Sequence, residues 1–309
     1  MCLEDLDGAQ CSMVGNLTME IPVSLGWLNK EPNGDRWLAE LPDTLDAVLK
    51  DWNLQQSGPP FDGGMVAYTL PVQRGDQAMV LKLQWPHNEA ESEADALLAW
   101  RGKGAVQLID HDRDRHALLL EACRPGTYLA DAAVDPVEVM TRLLPQLWIV
   151  PDGPFPSLAQ EAREWADRLP TAWERAGRPC ERSLIDAALN DIAALAETQV
   201  DPVLLHQDLH GHNVLAAERK PWLAIDPKPL LGERAFGLAP IVRSFEFVHS
   251  AEATLDRLDR LSAALDLDRE RALGWTVAQT MAWGFGGAHD AHHQQTVRWL
   301  LAARAGRMI

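Results

Sequence analysis

The sequence predicts an α+β fold in which a small antiparallel sheet with one helix comes first and a larger, mainly helical part follows. Short apolar runs at residues 66–72, 78–83, 105–109 and 116–120 have strand length and are punctuated by Gly, Pro and Asp turns. From residue 135 onward apolar residues recur three and four apart, the period of helices with one buried face. A third observation is size: 309 residues at 47% hydrophobic composition are enough to bury the cores of two lobes.

Residues 1–18 show no periodic pattern and are expected to be a disordered extension. Residues 36–52 carry Trp37, Leu38, Leu41, Leu45, Val48, Leu49 and Trp52, the spacing of a helix leading into the first strand. The Gly/Pro cluster at 57–64, with Gly63 and Gly64 at its end, reads as a plain turn or as a loop covering phosphates.

Lys82 lies in the apolar strand 78–83, in a chain whose lysines stand only at 30, 50, 82, 103, 220 and 228. It is either an edge-strand lysine that discourages aggregation or a point charge for phosphates, which needs a carboxylate partner. The predicted helix 88–100 offers Glu89 and Glu93 one turn apart, on what is otherwise a solvated acidic face.

A hairpin is predicted from 105–109 and 116–120 across a turn at 110–114. That turn matches a calcium loop at its first, third, fifth and twelfth positions. Arg115 replaces the required Gly and the flanks read as strands, so calcium is excluded. The chain then leaves the sheet through Leu120, Glu121, Ala122 and Cys123 to a Pro/Gly turn. Helices are predicted at 137–148, 158–176, 184–196, 236–248, 255–265, 269–283 and 289–303, with His289, His292 and His293 facing solvent.

A formal charge of −17 argues against a nucleic-acid partner, whose phosphates need Lys and Arg, and permits a cationic one. The four cysteines form no C-x-x-C pair, as expected for a reduced compartment without structural zinc. No apolar run approaches membrane-spanning length and the first residues are acidic, so a cytoplasmic location is expected.

Residues 206–226 hold the chemistry. His206-Gln-Asp208-Leu-His210-Gly-His212-Asn213 is followed by an apolar run ending at Asp226. Phosphoryl transfer needs a carboxylate beside the acceptor hydroxyl and hard oxygen ligands for Mg²⁺, and Asp208, Asn213 and Asp226 suit those tasks. Two other readings remain open at this point. His206, His210, His212 and Asp208 could ligate a transition metal, or the segment is a loop capped by Asp and Asn.

The spacing H-x-D-x-x-x-x-N followed by a strand-end Asp resembles the protein-kinase-like superfamily. His-x-Asp-Leu-His-x-x-Asn-Val-Leu with Ala-Ile-Asp-Pro-Lys-Pro-Leu-x-Gly is similar to the aminoglycoside phosphotransferases, in the branch of streptomycin 6-kinases and hydroxyurea phosphotransferases. The likeness runs from about Ile21 to the C-terminus. It implies a bilobal kinase-like fold, with a nucleotide-binding lobe at 19–121 and a catalytic and acceptor-binding lobe at 122–309.

By this resemblance the enzyme uses ATP and Mg²⁺, with Asp208 as catalytic base and Asn213 and Asp226 as metal ligands. Lys82 would hold the nucleotide phosphates, paired with Glu93 and with Glu89 in reserve. Backbone at Leu120, Glu121, Ala122 and Cys123 would meet adenine, Gly63 and Gly64 would lie over the phosphates, and His206 would be structural.

The expected partner is a small-molecule acceptor, cationic by the charge balance, with the protein a monomer or weak dimer. Glu246, Glu252, Asp256, Asp259, Asp266, Asp268, Glu270 and Asp290 would attract such an acceptor where they line the cleft. The chain departs from the family at Gln207 and His212, where Gly is usual, and at Gly237, where an Asp usually steadies the catalytic loop. A dead kinase that binds nucleotide, or a kinase for hydroxyurea or another metabolite, is the competing expectation.

Overall fold

In the computed structural model, which describes residues 19, 21–62 and 64–307, the chain enters through a 3₁₀ turn (Val23–Lys30) and helix α1 (Gly34–Asp51). The expectations for residues 1–18 and for Gly63 fall outside the described residues. Leu38, Leu41, Leu45 and Val48 lie on one face of α1 and are buried with Tyr68, Leu70, Met79 and Leu81 of the sheet. Apolar spacing in the sequence thus becomes a helix packed on one side of the sheet.

The sheet has five antiparallel strands: β1 (Gln55–Gln56), β2 (Ala67–Arg74), β3 (Gln77–Gln84), β4 (Leu108–Asp112) and β5 (Ala117–Glu121). Their order is β1-β2-β3-β5-β4, so β3 is flanked on both sides and Lys82 is not an edge-strand lysine. The predicted hairpin is displaced. β4 starts at Leu108 and runs through the polar Asp110, His111 and Asp112, because at a sheet edge such side chains remain solvated and leave no apolar alternation to read. Residues 105 and 106 instead cross to the second part of the molecule, where Val106 donates to Ala224 O at 3.0 Å.

Between β3 and β4 the predicted single helix is two pieces, α2 (Asn88–Glu91) and α3 (Glu93–Trp100), interrupted at Ser92. The break sets Glu93 at the start of α3, facing β3. The helical part begins with α4 (Pro136–Leu147), capped by Asp135, whose carboxylate accepts from Val137 N at 2.9 Å. Next come α5 (Leu158–Arg175) and α6 (Arg182–Leu195).

Four short strands then carry the segment 206–226. β6 (Val203–Leu205) pairs with β9 (Leu230–Gly232), and β7 (Val214–Ala216) pairs with β8 (Trp222–Ala224).

The predicted helix over 236–248 is corrected to a 3₁₀ turn (Arg234–Leu238) and a short α7 (Ala239–Arg243), after which the chain bends at Ser244. Polar capture ends it. Glu246 N donates to Ser244 Oγ and the Glu246 carboxylate reaches back to Gly211 N, which an uninterrupted helix would prevent. Then α8 (Ala251–Ala264), α9 (Arg269–Ala282) and α10 (Asp290–Arg307) close the fold. α9 is its central helix: Leu273, Trp275, Val277 and Met281 are fully buried, together with the polar Thr276, Gln279 and Thr280. Among the described residues no helix is long and apolar enough to cross a membrane.

Candidate active site

Lys82 occupies the central strand with its side chain 9% exposed, a position that is costly for an ammonium without a partner. Two carboxylates meet it. Glu93 takes Nζ at 2.9 and 2.7 Å through its two oxygens, and Asp226 Oδ1 lies 2.5 Å away. Gln84 Nε2 donates to Glu93 Oε2 at 2.6 Å and fixes the carboxylate from the other side.

Burial works to lower the Lys82 pKa, but Asp226 and Glu93 outweigh it and hold the ammonium well above the ordinary lysine value. Burial pushes Glu93 up to about 7 against the pull of Lys82. Asp226 is also opposed by burial, yet Lys82, Lys228 and His206 bring it down to about 2. Glu89's side chain lies outside the described residues.

The loop 206–213, expected to be catalytic, is a backbone construction. After β6, Gln207 adopts φ +64° and Asp226 adopts φ +55°, both in the left-handed region that Gly tolerates best. Gln207 therefore sits in strain where the family commonly has Gly, whereas His212, the other departure, is not at positive φ. The two limbs are cross-tied by Ile225 N to Asn213 O at 3.0 Å and Lys228 N to His206 O at 3.1 Å. His206 is buried, stacked over Trp100, and bonds through Nε2 to Ile225 O at 2.8 Å. Burial pushes His206 down to about 4, so the ring is neutral and Nε2–H donates. His206 thus ties the loop to the strand end before Asp226.

Asp208 lies at the mouth of this loop, 15% exposed, among three basic groups. Arg243 Nη2 is 3.3 Å from Oδ1, Lys228 Nζ is 3.5 Å from Oδ2 and His210 Nε2 is 3.9 Å from Oδ1. Burial would raise its pKa, but Lys228, His210 and Arg243 hold it below the usual carboxylate range. Both cations also lie over the Trp283 ring, each 5.0 Å from its centroid. Asn213 Nδ2 donates to Asp208 O at 2.9 Å, so the amide is fixed by its nitrogen and its oxygen remains to meet a cation.

Arg243 is itself held from behind, by Gln279 Oε1 at 3.3 Å and His293 Nε2 at 3.2 Å. His293 must be neutral to accept there, and burial, reinforced by Arg243, pushes it down to about 4. This corrects the expectation that all three C-terminal histidines face solvent: His289 and His292 do, and His293 is 8% exposed. Gln279 Nε2 continues the chain by donating to Gln207 O at 2.8 Å. At Gly237 an added Cβ would lie 3.3 Å from Trp148 Nε1, and with no side chain this position offers the loop no carboxylate. Gln279 and Arg243 hold it from α9 and α7 instead.

The predicted adenine segment forms the end of β5 and the residues after it. Glu121 N donates to Gln107 O, and the Glu121 carboxylate is clamped by Arg219 Nε and Nη2, each at 2.8 Å. Leu120 is buried in β5, and Ala122 and Cys123 follow outside the ladder. Burial pushes the Cys123 thiol up to about 12, so it is inert. Gly64 has a packing reason to be Gly, since an added Cβ would fall 2.6 Å from Ala67 O.

Of the acidic residues expected to attract an acceptor, Glu246 lies against the catalytic loop. Asp256, Asp259 and Glu270 pair with Arg260 and Arg269, while Asp268 bonds to backbone amides at the start of α9 and Asp290 to the Gly286 and Gly287 amides before α10.

Sequence reasoning gave no role to Arg243, Lys228 or Gln279. One signal was present: an arginine in the otherwise apolar stretch 238–243 marks a buried charge that needs a partner.

A family model described as aminoglycoside/hydroxyurea antibiotic resistance kinase matches residues 51–288. The chain is 37% identical over 260 residues to a streptomycin 6-kinase of Streptomyces griseus, covering 80% of this chain and 83% of that protein. It is 38% identical over 289 residues to a hydroxyurea phosphotransferase of Kitasatospora aureofaciens, covering 88% and 82% respectively. Among solved structures, a choline kinase from Streptococcus pneumoniae superposes with a TM-score of 0.63 at 14% identity, over 85% of this chain and 99% of that one. A thermostable aminoglycoside phosphotransferase gives 0.64 at 13% identity, over 84% and 98%. At such identities the structural likeness bears on the fold, which is that of the protein-kinase-like proteins.

Proposed function

Because the chain belongs to the aminoglycoside/hydroxyurea antibiotic resistance kinase family, we propose that it transfers a phosphoryl group from ATP, with Mg²⁺, to a hydroxyl of a small antibiotic. The acceptor class best supported is an aminocyclitol such as streptomycin. The carrying observation is that Lys82, Glu93 and Asp226 meet at one ammonium while Asp208 and Asn213 project from the loop tied to the same strand end.

The donor set fits a hard cation, since the Asn213 amide oxygen and the Asp226 carboxylate are the oxygen ligands that Mg²⁺ accepts. Bound there, Mg²⁺ would supply positive charge to the phosphate oxygens as negative charge builds on them. Asp226 is free to serve because its side chain is 51% exposed, whereas Glu93 at 3% stays behind as the counterion of Lys82. Lys82, kept protonated, offers N–H donors to the nucleotide phosphates.

Asp208 orients the acceptor hydroxyl and takes its proton. With Arg243 and Lys228 beside it, Asp208 is a weak base, suited to accept the proton late, when the hydroxyl has already begun to bond to phosphorus.

A second reading has its own support, because the hydroxyurea phosphotransferase is as similar as the streptomycin 6-kinase. A resistance assay in a sensitive bacterium, across streptomycin, other aminoglycosides and hydroxyurea, separates them when paired with ATP consumption by the purified protein. Protection against streptomycin with matching ATP turnover is expected. Protection against hydroxyurea alone moves the assignment to the second reading, and no turnover with any of them contradicts both.

A further inference from the structure

On the 206–213 loop and against it, but outside the residues assigned to phosphoryl transfer, three side chains of metal-ligating type converge. His210 Nδ1 and His212 Nδ1 each lie 2.6 Å from the same oxygen, Glu246 Oε1. Ligand atoms of all three residues fall within 4.8 Å of one another. His206, which the sequence grouped with this cluster, is bonded elsewhere, to Ile225 O. Two imidazoles and a carboxylate are the donor set of open zinc sites, where a fourth position is left to water.

Tetrahedral bonds to zinc place ligand atoms roughly 3.3 Å apart, so the carboxylate oxygen withdraws about 0.7 Å from each imidazole, while the two imidazole nitrogens, which lie within 4.8 Å of each other, close toward the same spacing. The carboxylate is already aimed: Glu246 Oε2 accepts from Gly211 N at 2.6 Å and from Ser244 Oγ at 3.2 Å, which turns Oε1 to the imidazoles. His212 is 49% exposed and gives an ion a way in.

Without metal, the trio is a carboxylate accepting two ring N–H bonds. The far side of His210 is where a metal would make a difference. Its Nε2 lies 3.2 Å from Asn213 Nδ2 and 3.9 Å from Asp208 Oδ1. A ring that binds metal through Nδ1 carries its proton on Nε2, and metal-bound histidines commonly donate that N–H to a carboxylate. Asp208 is the carboxylate in place. We propose that His210, His212 and Glu246 form a site for a first-row transition ion of the Zn²⁺ class, and that filling it draws Asp208 onto His210 and slows phosphoryl transfer.

The binding half stands on its own; the inhibitory half rests on the phosphotransferase reading. Metal-free protein without nucleotide is dialysed against Zn²⁺ and analysed for bound metal, and Co²⁺ is used to read coordination from visible absorption. Turnover is measured with micromolar Zn²⁺ under a large excess of Mg²⁺, then after a zinc-selective chelator. One Zn²⁺ per chain is expected, with turnover lowered and restored by the chelator. With each variant's own zinc-free turnover as the reference, His212→Ala should weaken Zn²⁺ binding on the order of 100-fold and lose the inhibition, and His212→Cys should recover both.

No retained Zn²⁺, or equal inhibition in His212→Ala, overturns the site. Retained Zn²⁺ without inhibition overturns the link to Asp208. Absent turnover in zinc-free protein under the same excess of Mg²⁺ counts against the phosphotransferase reading and leaves the binding result to decide the site.

Discussion

Asp226 Oδ1 lies 2.5 Å from Lys82 Nζ, on the ammonium that also holds Glu93 at 2.7 Å. One buried cation thus serves two carboxylates, one enclosed and one half-exposed. The arrangement keeps Asp226 charged and in place before any nucleotide arrives. It also gives Lys82 a structural task, because among the described residues Glu93 forms its ion pair with Lys82 alone.

Removing one member of such a pair leaves the other charge buried, which costs about 3–5 kcal/mol, while replacing both by apolar groups is often neutral. Lys82→Met should therefore lower unfolding stability by an amount in that range, and Lys82→Met with Glu93→Leu should recover most of it. Urea denaturation measures this. Neither variant should turn over. A double variant no more stable than the single one would show that the ion pair is not what Lys82 contributes to the fold.

Gly211 is the next test. An added Cβ would fall 2.7 Å from Glu246 Oε2, 2.8 Å from Phe247 Cζ and 2.9 Å from Ala130 Cβ. Gly211→Ala must push the 210–213 turn away from Glu246, at about 1–3 kcal/mol of overpacking, and should lower kcat more than it raises KM for ATP. Thermal denaturation and steady-state kinetics check it. Wild-type Tm and kcat in this variant would mean that the turn has slack not evident in its packing.

Stability should depend on pH with a definite sign. His206 and His293, both pushed down to about 4 by burial, stay neutral in the fold while the unfolded chain protonates near 6.5. The unfolded state thus binds more protons between those values, and stability rises with pH across that window. Glu93, pushed up to about 7 by burial, acts oppositely: it takes up its proton at a higher pH in the fold than in the unfolded chain, so its contribution falls as pH rises toward 7, above which it stands ionised as the counterion of Lys82. Two histidines against one carboxyl give a net rise from pH 4 to 6.5. Glu93→Gln should steepen that rise and His293→Gln should flatten it. Urea midpoints across the window decide, and a shallower slope for Glu93→Gln would reverse the assignment.

The fold was legible because its signals are local. The period of α1 follows from one buried face, and the apolar runs of β2, β3 and β5 follow from strands covered by the core, β5 on both faces. The edge strand β4 was expected at 105–109, three residues too early, because its own side chains are polar, and the break after Arg243 was not expected because Glu246 is captured by a residue 35 positions earlier.

The site divides the same way. Lys82, Glu93, Asp208, Asn213 and Asp226 stand out as charged or amide groups at strand ends and helix starts. The support behind Asp208 does not, since Arg243, Gln279 and His293 lie on three different helices, and only folding brings them together. Gln207 illustrates the reverse case: the resemblance pointed to a residue where Gly is usual, and the backbone there is at φ +64°.

The central claim is that Asp208 acts on the acceptor hydroxyl, and the most direct measurement is turnover by Asp208→Asn with nucleotide affinity measured in parallel. The substitution keeps the shape and removes the proton acceptor, so kcat for streptomycin phosphorylation should fall about 10²–10⁴-fold, with the Kd for ATP in the presence of Mg²⁺ changed little. Turnover of the Asn variant at the wild-type rate would contradict the account.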